Sequence, residues 1–134
     1  RLKMILEKDP ICFNHNLETV ERLQKEVRRG ANYKNSLSLL KKSKDFAPHI
    51  QTKSGIMLGL GETLDEIKHT IYDLKKIDCD QITIGQYLRP SFNHLAVKKY
   101  WDPSEFEYLY RFSKELGFKK VSSGPLVRSS YHAG

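Results

Sequence analysis

Three segments with the chemistry to bind a ligand each follow a short apolar run of the chain. Residues 14–19 (Asn-His-Asn-Leu-Glu-Thr) follow the first run, residues 59–62 (Gly-Leu-Gly-Glu) the second and residues 85–91 (Gly-Gln-Tyr-Leu-Arg-Pro-Ser) the third. The amide and carboxylate oxygens of Asn16 and Glu18 can accept hydrogen bonds from the hydroxyl groups of a sugar. Glycines let the backbone turn tightly and approach a ligand closely. Together the three segments predict a site for a nucleotide-like ligand.

Two of these segments also have a simpler explanation. Asn16 and Thr19 are residue types that favour the N-cap of a helix. A stripe of apolar residues predicts the helix that they would cap: Leu17, Val20, Leu23 and Val27. Glycine turns between a strand and a helix often only connect the two elements. Both explanations stay open on these residues alone.

The second segment is predicted to join a buried strand to a helix. The run from Gly55 to Gly59 is short, apolar and bounded by glycines, as expected of a parallel strand buried on both faces. Thr63 and Glu66 have the spacing of a capping box, which predicts a helix start. The apolar face of this helix is predicted at Leu64, Ile67, Ile71, Leu74 and Ile77.

The remaining elements alternate between strand and helix. Strands are predicted at residues 11–13, 55–59, 81–87 and 119–123. Helices are predicted at residues 1–8, 36–47, 63–77 and 103–116. The helix with the apolar stripe described above is predicted to end at residues 28–30. Asp102 and Gly117 mark the start and the end of the last helix. The helix at residues 36–47 is expected to bury Leu37, Leu40 and Phe46.

This alternation predicts an α/β fold with a parallel sheet and right-handed crossovers. The three polar segments then meet at the carboxyl ends of the strands, where ligands bind in such folds. The predicted strands are too few to close a (β/α) barrel, so the sheet is either a small open one or part of a larger barrel.

The chain of 134 residues is about the length of one domain. Its 23 lysines and arginines and 16 aspartates and glutamates give a formal net charge of +7, with the basic residues spread between acidic ones along the predicted helices. This distribution is typical of solvated helix faces and argues against nucleic-acid binding, while an acidic partner protein stays open. No apolar run is long enough to span a membrane.

Cysteine usage excludes several kinds of site. Cys12 and Cys79 match no CxxC or zinc-binding spacing, and we predict that both are buried in a reducing compartment. The chain begins at Arg1, inside a predicted helix, which suggests a fragment.

Six motifs in order resemble those of lipoyl synthase over nearly the whole chain. They are residues 14–19, 27–33, 53–63, 85–91, 94–95 and 124–133. The resemblance is to the C-terminal half of that enzyme, a radical S-adenosylmethionine (radical SAM) protein. It implies an α/β fold that is the C-terminal part of a partial (β/α) TIM-like barrel. Residues 1–123 would belong to the barrel, and residues 124–134 would form a tail with the motif Arg-Ser-Ser-Tyr.

The resemblance also implies an activity, its cofactors and its partners. Lipoyl synthases insert two sulfur atoms, at C6 and C8, into an octanoyl chain attached to a lysine of a carrier protein. They use S-adenosylmethionine and two [4Fe–4S] clusters, of which the auxiliary one supplies the sulfur. The implied partners are an octanoylated lipoyl carrier protein or domain and the N-terminal half of the same enzyme, without nucleic acid or membrane. The implied location is the bacterial cytoplasm, or a mitochondrial or plastid matrix in a eukaryote.

Several residues correspond by position to cofactor-binding residues of the family. Asn16 and Glu18 resemble the pair that binds the ribose. Arg28 resembles an arginine that pairs with the methionine carboxylate of the cofactor, whereas the residues alone favour a charge at a helix C-terminus. The residues that resemble the strand and turn along the adenosyl group, and its adenine side, are Ile56, Gly59, Gly61, Glu62, Tyr87 and Leu88.

The tail resembles the motif whose serine oxygen ligates one iron of the auxiliary cluster. The resemblance favours Ser129, with Ser130 as the fallback. The alternative is a serine pair in a flexible tail. No catalytic residue is assigned.

Two departures from the family pattern matter. Arg29 stands where many relatives have proline, so the turn after Arg28 is expected to be looser than in those relatives. The cluster motifs CxxxCxxC and CxxxxCxxxxxC are both absent, and Cys12 and Cys79 cannot replace them. This polypeptide alone is therefore expected to hold neither cluster and to be inactive.

Two other functions stay open. One is a non-catalytic, basic α/β binding module that retains a nucleoside site. The other is a related radical enzyme such as biotin synthase, which shares the motif at residues 14–17 and the glycine turn but gives no reason for the motif at residues 128–131. In every case the exposed sheet edge and unfilled barrel interior predict poor solubility, or pairing with another chain.

Overall fold

The computed structural model describes residues 12–27, 30 and 32–127, and it places strands and helices in alternation. The strands are β1 (Cys12–Asn14), β2 (Gln51–Leu58), β3 (Gln81–Gln86) and β4 (Lys120–Gly124). The helices are α1 (Gln24–Val27), α2 (Tyr33–Phe46), α3 (Leu64–Lys76) and α4 (Pro103–Leu116), with a 3₁₀ turn at Glu21–Leu23 before α1. The predicted helix at residues 1–8 lies outside the described residues. Within the described ranges, no helix is long and apolar enough to cross a membrane.

The four strands pair in parallel, and their order in the sheet is their order in the chain. The register places Lys53 between Asn14 and Gln81. Each strand therefore adds to the same edge of the sheet, as in the wall of a (β/α) barrel. The described strands show none of the order reversal that marks a doubly wound sheet. The predicted α/β fold with a parallel sheet is confirmed.

Capping boxes begin α3 and α4, as the sequence predicts. The Thr63 hydroxyl accepts a hydrogen bond from the Glu66 N–H at 3.2 Å, and the Glu66 carboxylate accepts one from the Thr63 N–H at 2.9 Å. At α4, the Asp102 N–H donates to the Glu105 carboxylate at 2.8 Å. Gly117 ends α4 with a φ of +107°, a conformation that favours glycine. These caps fix where each helix starts after the strand that precedes it.

The apolar core lies between the sheet and helices α3 and α4. It is formed by side chains no more than 2% exposed: Ile56, Leu58, Ile82, Ile84, Ile67, Ile71, Leu74, Phe106 and Leu109. Burial of one such side chain contributes roughly 1.5–3 kcal/mol of transfer free energy. This layer therefore holds the strands in place and leaves their carboxyl ends to the connecting loops.

The opposite face of the sheet, here called the inner face, is polar. On β2, Gln51, Lys53 and Met57 are half-buried while alternate residues point into the core. The Gln81 amide donates to the Gln51 side chain at 2.6 Å and to Cys12 Sγ at 3.2 Å, which places all three residues on the inner face. Burying these polar side chains against an apolar layer would cost free energy, so the inner face is better suited to contact with water or a ligand.

The three largest differences from the sequence-based boundaries are in β2, α2 and the segment before α2, whereas the other strands agree with the predicted bounds to within one residue. β2 begins at Gln51 rather than at residue 55, because the polar residues of its first half hide the strand pattern. α2 begins at Tyr33, where the Asn32 side chain accepts a hydrogen bond from the Asn35 N–H at 3.0 Å. The apolar stripe that ends at Val27 forms a 3₁₀ turn and one short helix instead of a regular helix.

Two predicted core residues are exposed. Phe46 is 90% exposed and Leu64 is 37% exposed, so both burial predictions were wrong. Phe46 is the last residue of α2 and Leu64 the first residue of α3. Helical spacing predicts which side of a helix a residue lies on. It does not predict whether the sheet reaches far enough to cover that side at the end of the helix.

Candidate functional site

A cavity of about 670 Å³ opens at the carboxyl ends of the strands. Glu18 from the first predicted segment, Leu60 from the second, and Tyr87 and Leu88 from the third all line it. This volume is within the range of small-molecule sites. The structure thus brings together Glu18, Tyr87 and Leu88. The remaining predicted residues that it describes are not among the lining residues: Asn16, Ile56, Gly59, Gly61 and Glu62.

Glu18 is held at the cavity by its own backbone. Its N–H donates to the Gly55 carbonyl at 3.0 Å, and its carbonyl accepts from the Met57 N–H at 2.9 Å. The two bonds form an isolated parallel bridge to Ile56. Glu18 has a φ of +76°, a left-handed conformation that is uncommon for residues other than glycine. Such a conformation costs on the order of 1–3 kcal/mol, and it is concentrated at functional sites.

Asn16 lies beside the same strand. Its amide oxygen is buried and has no hydrogen-bond partner among the described residues. A Cβ added at Gly55 would come within 3.0 Å of this oxygen, so glycine there lets the side chain lie against β2. Helix capping by Asn16 or Thr19 does not occur, because the N-cap of the 3₁₀ turn is Val20 and makes no side-chain capping bond.

The glycine turn after β2 packs against the β3–α4 connection. Gly59 and Gly61 have φ values of +117° and +111°. A Cβ on Gly59 would overlap the Gln86 amide nitrogen and approach the Lys99 carbonyl oxygen to 2.7 Å. The Gly59 carbonyl accepts from the Lys98 N–H at 2.7 Å. Glycine is therefore required at residue 59 by both its conformation and its neighbours.

Glu62 supports this turn from within. Its carboxylate accepts hydrogen bonds from the Gly59 N–H at 2.7 Å, the Leu60 N–H at 3.0 Å and the Trp101 indole N–H at 2.9 Å. The side chain is 7% exposed. Both oxygens are thus engaged inside the protein, and the carboxylate shapes the turn rather than lining the cavity. Ile56 is 2% exposed and points into the core, so its side chain also does not reach the cavity.

The β3–α4 connection is tied to the site by two residues of the third segment. The Gln86 amide donates to the Lys99 carbonyl at 2.9 Å and accepts from the Trp101 N–H at 2.9 Å. The Tyr87 hydroxyl donates to the Leu95 carbonyl at 2.6 Å, and burial raises the pKa of this phenol. Neither Gln86 nor Trp101 has a sequence signal for this role beyond its place near a strand end or a helix start.

Comparison with known proteins gives one consistent result. The chain is 80% identical, over all 134 of its residues, to a protein named Lipoyl synthase 2 from Prochlorococcus marinus subsp. pastoris, and it covers 45% of that protein. It is 58% identical, over its whole length, to Lipoyl synthase 2 from a Nostoc species, and it covers 45% of that protein. It is also 53% identical, over 98% of its length, to the Lipoyl synthase of Hydrogenovibrio crunogenus, and it covers 42% of that enzyme.

The chain is similar along its whole length to part of a lipoyl synthase, consistent with the C-terminal half of that enzyme. The resemblance inferred from its motifs is therefore confirmed. The chain spans less than half the length of the relatives that it matches. No protein-family model matches it.

Three residues that the lipoyl synthase resemblance singles out lie outside the described residues: Arg28, Ser129 and Ser130. The chain just before the serines is described. The Val127 N–H donates to the Gly124 carbonyl at 3.2 Å, and Val127 lines the cavity. A Cβ on Gly85 would overlap the Val127 carbonyl oxygen, so glycine at residue 85 lets the chain cross the end of β3.

The cysteines do not form the cluster site of a lipoyl synthase. Cys79 is 1% exposed, and burial raises the pKa of its thiol to about 11, so it is not a ready thiolate ligand. Cys12 is half-buried rather than buried as predicted, because it lies on the polar inner face. Among the described residues, no group of three or more His, Cys, Asp or Glu side chains could hold a metal ion. The described residues therefore do not fit an iron–sulfur cluster.

Proposed function

We propose that this chain forms part of the cofactor site of a lipoyl synthase, which uses S-adenosylmethionine to insert two sulfur atoms, at C6 and C8, into a protein-bound octanoyl group. The main observation in support of this proposal is the cavity at the carboxyl ends of the strands, which is lined by Glu18, Tyr87 and Leu88 among others. The family supplies the identity of the reaction, and the cavity supplies a place for the nucleoside of its cofactor.

The polar side of the cavity suits the ribose. Glu18 borders the cavity with a carboxylate, which can accept hydrogen bonds from two hydroxyl groups. Asn16 does not line the cavity, but its buried amide oxygen lies against Gly55, the residue whose carbonyl binds the Glu18 N–H, and this oxygen has no partner among the described residues. Leaving a buried acceptor unsatisfied costs about 1–3 kcal/mol, so a ligand hydroxyl that donates to it gains binding free energy. We assign Asn16 and Glu18 as the ribose-binding pair.

The apolar side of the cavity suits the adenine. Leu60, Tyr87 and Leu88 line it, and Met57 extends the same surface. The glycine turn brings the Leu60 backbone to this side, and Glu62 fixes the turn. In this proposal Ile56, Gly59, Gly61 and Glu62 shape the strand and the turn, while the lining side chains contact the base.

The sheet fits one wall of a partial radical SAM barrel. Its parallel strands follow chain order, and its inner face is polar. In (β/α) barrels the inner face surrounds the space below the site, and the ligand lies at the carboxyl ends of the strands. The strands that would complete the wall belong to the N-terminal half of the same enzyme, the first partner implied by the family.

The cysteine ligands of both clusters are assigned to the N-terminal half of the same enzyme, because this chain has neither cluster motif. In the whole enzyme, S-adenosylmethionine with its cluster would supply the radical chemistry, and the auxiliary cluster would supply sulfur. Ser129, with Ser130 as the fallback, remains our proposal for one iron ligand, and Arg28 for the methionine carboxylate. Val127, two residues before Ser129 in the sequence, lines the cavity, which supports this proposal.

The substrate partner would be an octanoylated lipoyl carrier protein or domain. We propose that the enzyme acts in the bacterial cytoplasm, where reduced thiols and iron–sulfur clusters persist. The free state of both cysteines agrees with this location.

The full reading frame that contains this chain tests the proposal. Its product, with the clusters reconstituted, is mixed with S-adenosylmethionine, a reductant and an octanoylated carrier domain. Intact-mass spectrometry should then show a carrier that has gained the mass of two sulfur atoms when its product is the dithiol, and two hydrogens less when the dithiol has been oxidised to the cyclic disulfide. A protein that binds S-adenosylmethionine but inserts no sulfur would contradict the proposed reaction, and would favour a binding module. A protein that does not bind S-adenosylmethionine would contradict the assigned site.

A further inference from the structure

The connection between β3 and α4 presents an exposed aromatic surface beside the cavity. Residues 88–100 of this connection are here called the rim loop. Phe92 and Tyr100 in this loop are 90% and 68% exposed. Phe92 is flanked in sequence by residues that line the cavity, Pro90 on one side and Asn93 and His94 on the other. A partner that covers Phe92 would therefore lie next to the cavity.

The rim loop is held in shape by Arg89. The Arg89 guanidinium donates to the carbonyl oxygens of Ser91 at 3.1 Å, Phe92 at 2.9 Å and His94 at 3.0 Å. It also lies 5.0 Å from the centre of the Phe92 ring. The Ser91 hydroxyl is 2.9 Å from His94 Nδ1. A loop ordered in advance loses less conformational entropy on binding, so an exposed aromatic residue on it is suited to be an anchor.

The charge of the rim loop selects the kind of partner. The loop contains Arg89, Lys98 and Lys99 and has no aspartate or glutamate. Lys99 pairs with Glu105 at 3.4 Å, whereas no ion pair is formed by Lys98 or Arg89 among the described residues. The hydrogen bonds of Arg89 go to neutral carbonyls, so its charge is not cancelled by a carboxylate. A basic, aromatic surface is complementary to an acidic protein surface that has an apolar contact at its centre.

We propose that the rim loop is the docking surface for the acidic face of the acylated carrier domain, with Phe92 as the anchor and Lys98 as the main electrostatic contact. The inference rests on the proposed function, because the acyl chain on the carrier lysine must come close to the cofactor that the cavity is proposed to bind. A carrier docked on the rim loop, beside the cavity, would bring its acyl chain to that cofactor.

Binding of the carrier to the full-length protein tests the inference without turnover. The probe is an octanoylated lipoyl carrier domain, measured by surface plasmon resonance at low and at moderate ionic strength. Phe92→Ala should weaken binding about tenfold, as expected for an aromatic anchor. Lys98→Glu should also weaken it about tenfold at low salt and less at moderate salt, because salt screens exposed charges.

The chain offers a matched control for each substitution. Phe46 is as exposed as Phe92 but lies at the end of α2 that leads into the amino end of β2. Lys42 is an exposed lysine on the same helix. Phe46→Ala and Lys42→Glu should leave carrier affinity within about twofold of the unsubstituted protein, since surface substitutions away from an interface have small effects.

Three outcomes would overturn the inference. If the carrier binds but the rim-loop variants match their controls, the carrier docks elsewhere and the proposed function stands. If Phe92→Ala lowers the unfolding temperature more than Phe46→Ala and leaves carrier affinity unchanged, the rim loop is covered by another part of the same protein. If the carrier does not bind although S-adenosylmethionine does, the choice of carrier as partner fails together with the rim-loop proposal.

Discussion

The two ends of the sheet each contain a buried carboxylate, and the two carboxylates act differently. At the amino end, Asp80 is 5% exposed and accepts from the Lys44 ammonium at 2.8 Å and the Thr52 N–H at 2.8 Å, with Lys119 at 3.5 Å. At the carboxyl end, Glu62 accepts only neutral N–H groups among the described residues.

This difference suggests that the amino end of the sheet serves stability and the carboxyl end serves function. At the amino end, Lys44 and Lys119 form ion pairs with Asp80. At the carboxyl end, Glu62 is used to bend a glycine turn and to hold Trp101, and the space beside the turn stays open as the cavity. The division agrees with (β/α) folds in general, whose amino ends mainly stabilise and whose carboxyl ends carry the site.

Loss of the Glu62 carboxylate should have the largest effect. Glu62→Ala leaves the Gly59 N–H, the Leu60 N–H and the Trp101 indole N–H without their acceptor. Each unsatisfied buried donor costs about 1–3 kcal/mol, and with partial relaxation we expect the free energy of unfolding to fall by about 3 kcal/mol. Urea denaturation measures this loss. S-Adenosylmethionine affinity should fall as well, and a variant that is destabilised yet keeps full affinity would show that the turn does not shape the site.

Loss of Asp80 should reduce stability alone. Asp80→Ala leaves the Thr52 N–H without its side-chain acceptor and Lys44 without its counterion, although Lys44 still donates to the Ile50 carbonyl at 3.4 Å. We expect this loss to lower the free energy of unfolding by about 2 kcal/mol. S-Adenosylmethionine affinity, measured by calorimetry, should not change. A loss of affinity as large as that of the Glu62 variant would remove the distinction between the two ends.

The pH dependence of stability sharpens the same contrast. Burial alone would raise the pKa of Asp80, but the Lys44 and Thr52 hydrogen bonds and the charges of Lys44 and Lys119 outweigh it and lower the pKa. A lowered folded-state pKa contributes stability above the unfolded pKa, which is lost as the pH falls through the folded value. The unsubstituted protein should therefore lose stability on acidification below about pH 4, while Asp80→Asn should lose less. Urea denaturation at a series of pH values measures how steeply the free energy of unfolding falls with pH for each protein. The same dependence in both would contradict the lowered pKa of Asp80.

Gly85 tests the passage of the tail across the carboxyl end. Gly85→Ala places a Cβ against the Val127 carbonyl oxygen and should displace the residues that follow β4. Because Val127 lines the cavity, we expect S-adenosylmethionine affinity to fall several-fold, on the order of 1 kcal/mol. Gly124→Ala is the control, since its Cβ would lie an ordinary 3.6 Å from Val127. Equal S-adenosylmethionine affinities for the two variants would show that the close approach of Val127 to Gly85 is not required for the cavity to bind the cofactor.

The smallest effect is expected at the exposed Arg22–Glu66 pair. The hydrogen bond from Arg22, at 2.7 Å, lowers the pKa of Glu66 to about 2 against the opposing effect of burial. Any stability from this pair is present above the unfolded pKa of Glu66 and is lost as the pH falls toward 2. Arg22→Met should change the unfolding temperature less than Asp80→Ala does, because exposed pairs are weak. A larger change would show that Arg22 matters through its hydrogen bond to the Gly61 carbonyl.

Features set by neighbours in sequence were predictable. The starts of α3 and α4 follow from Thr63 with Glu66 and from Asp102 with Glu105, since each capping box needs residues of one helix turn only. The convergence of Glu18 with the third segment was also predictable, because parallel strands place their carboxyl ends together.

Features set by distant neighbours were not predictable. The role of Glu62 depends on Trp101, which comes from the other side of the site. The exposure of Phe46 depends on where the sheet ends, and no pattern within α2 contains that information. The Asn16 amide oxygen, which has no hydrogen-bond partner within the described part of the chain, is buried by contact with Gly55, a residue distant in sequence.

Binding of S-adenosylmethionine to Glu18 variants of the full-length protein tests the central claim most directly. Glu18→Gln keeps the size of the side chain and removes its charge, and we expect affinity measured by calorimetry to fall at least tenfold. Glu21→Gln, at an exposed glutamate that does not line the cavity, should stay within about twofold. Equal affinities for the two variants would contradict a ribose contact at Glu18 and, with it, the assignment of this cavity to the cofactor.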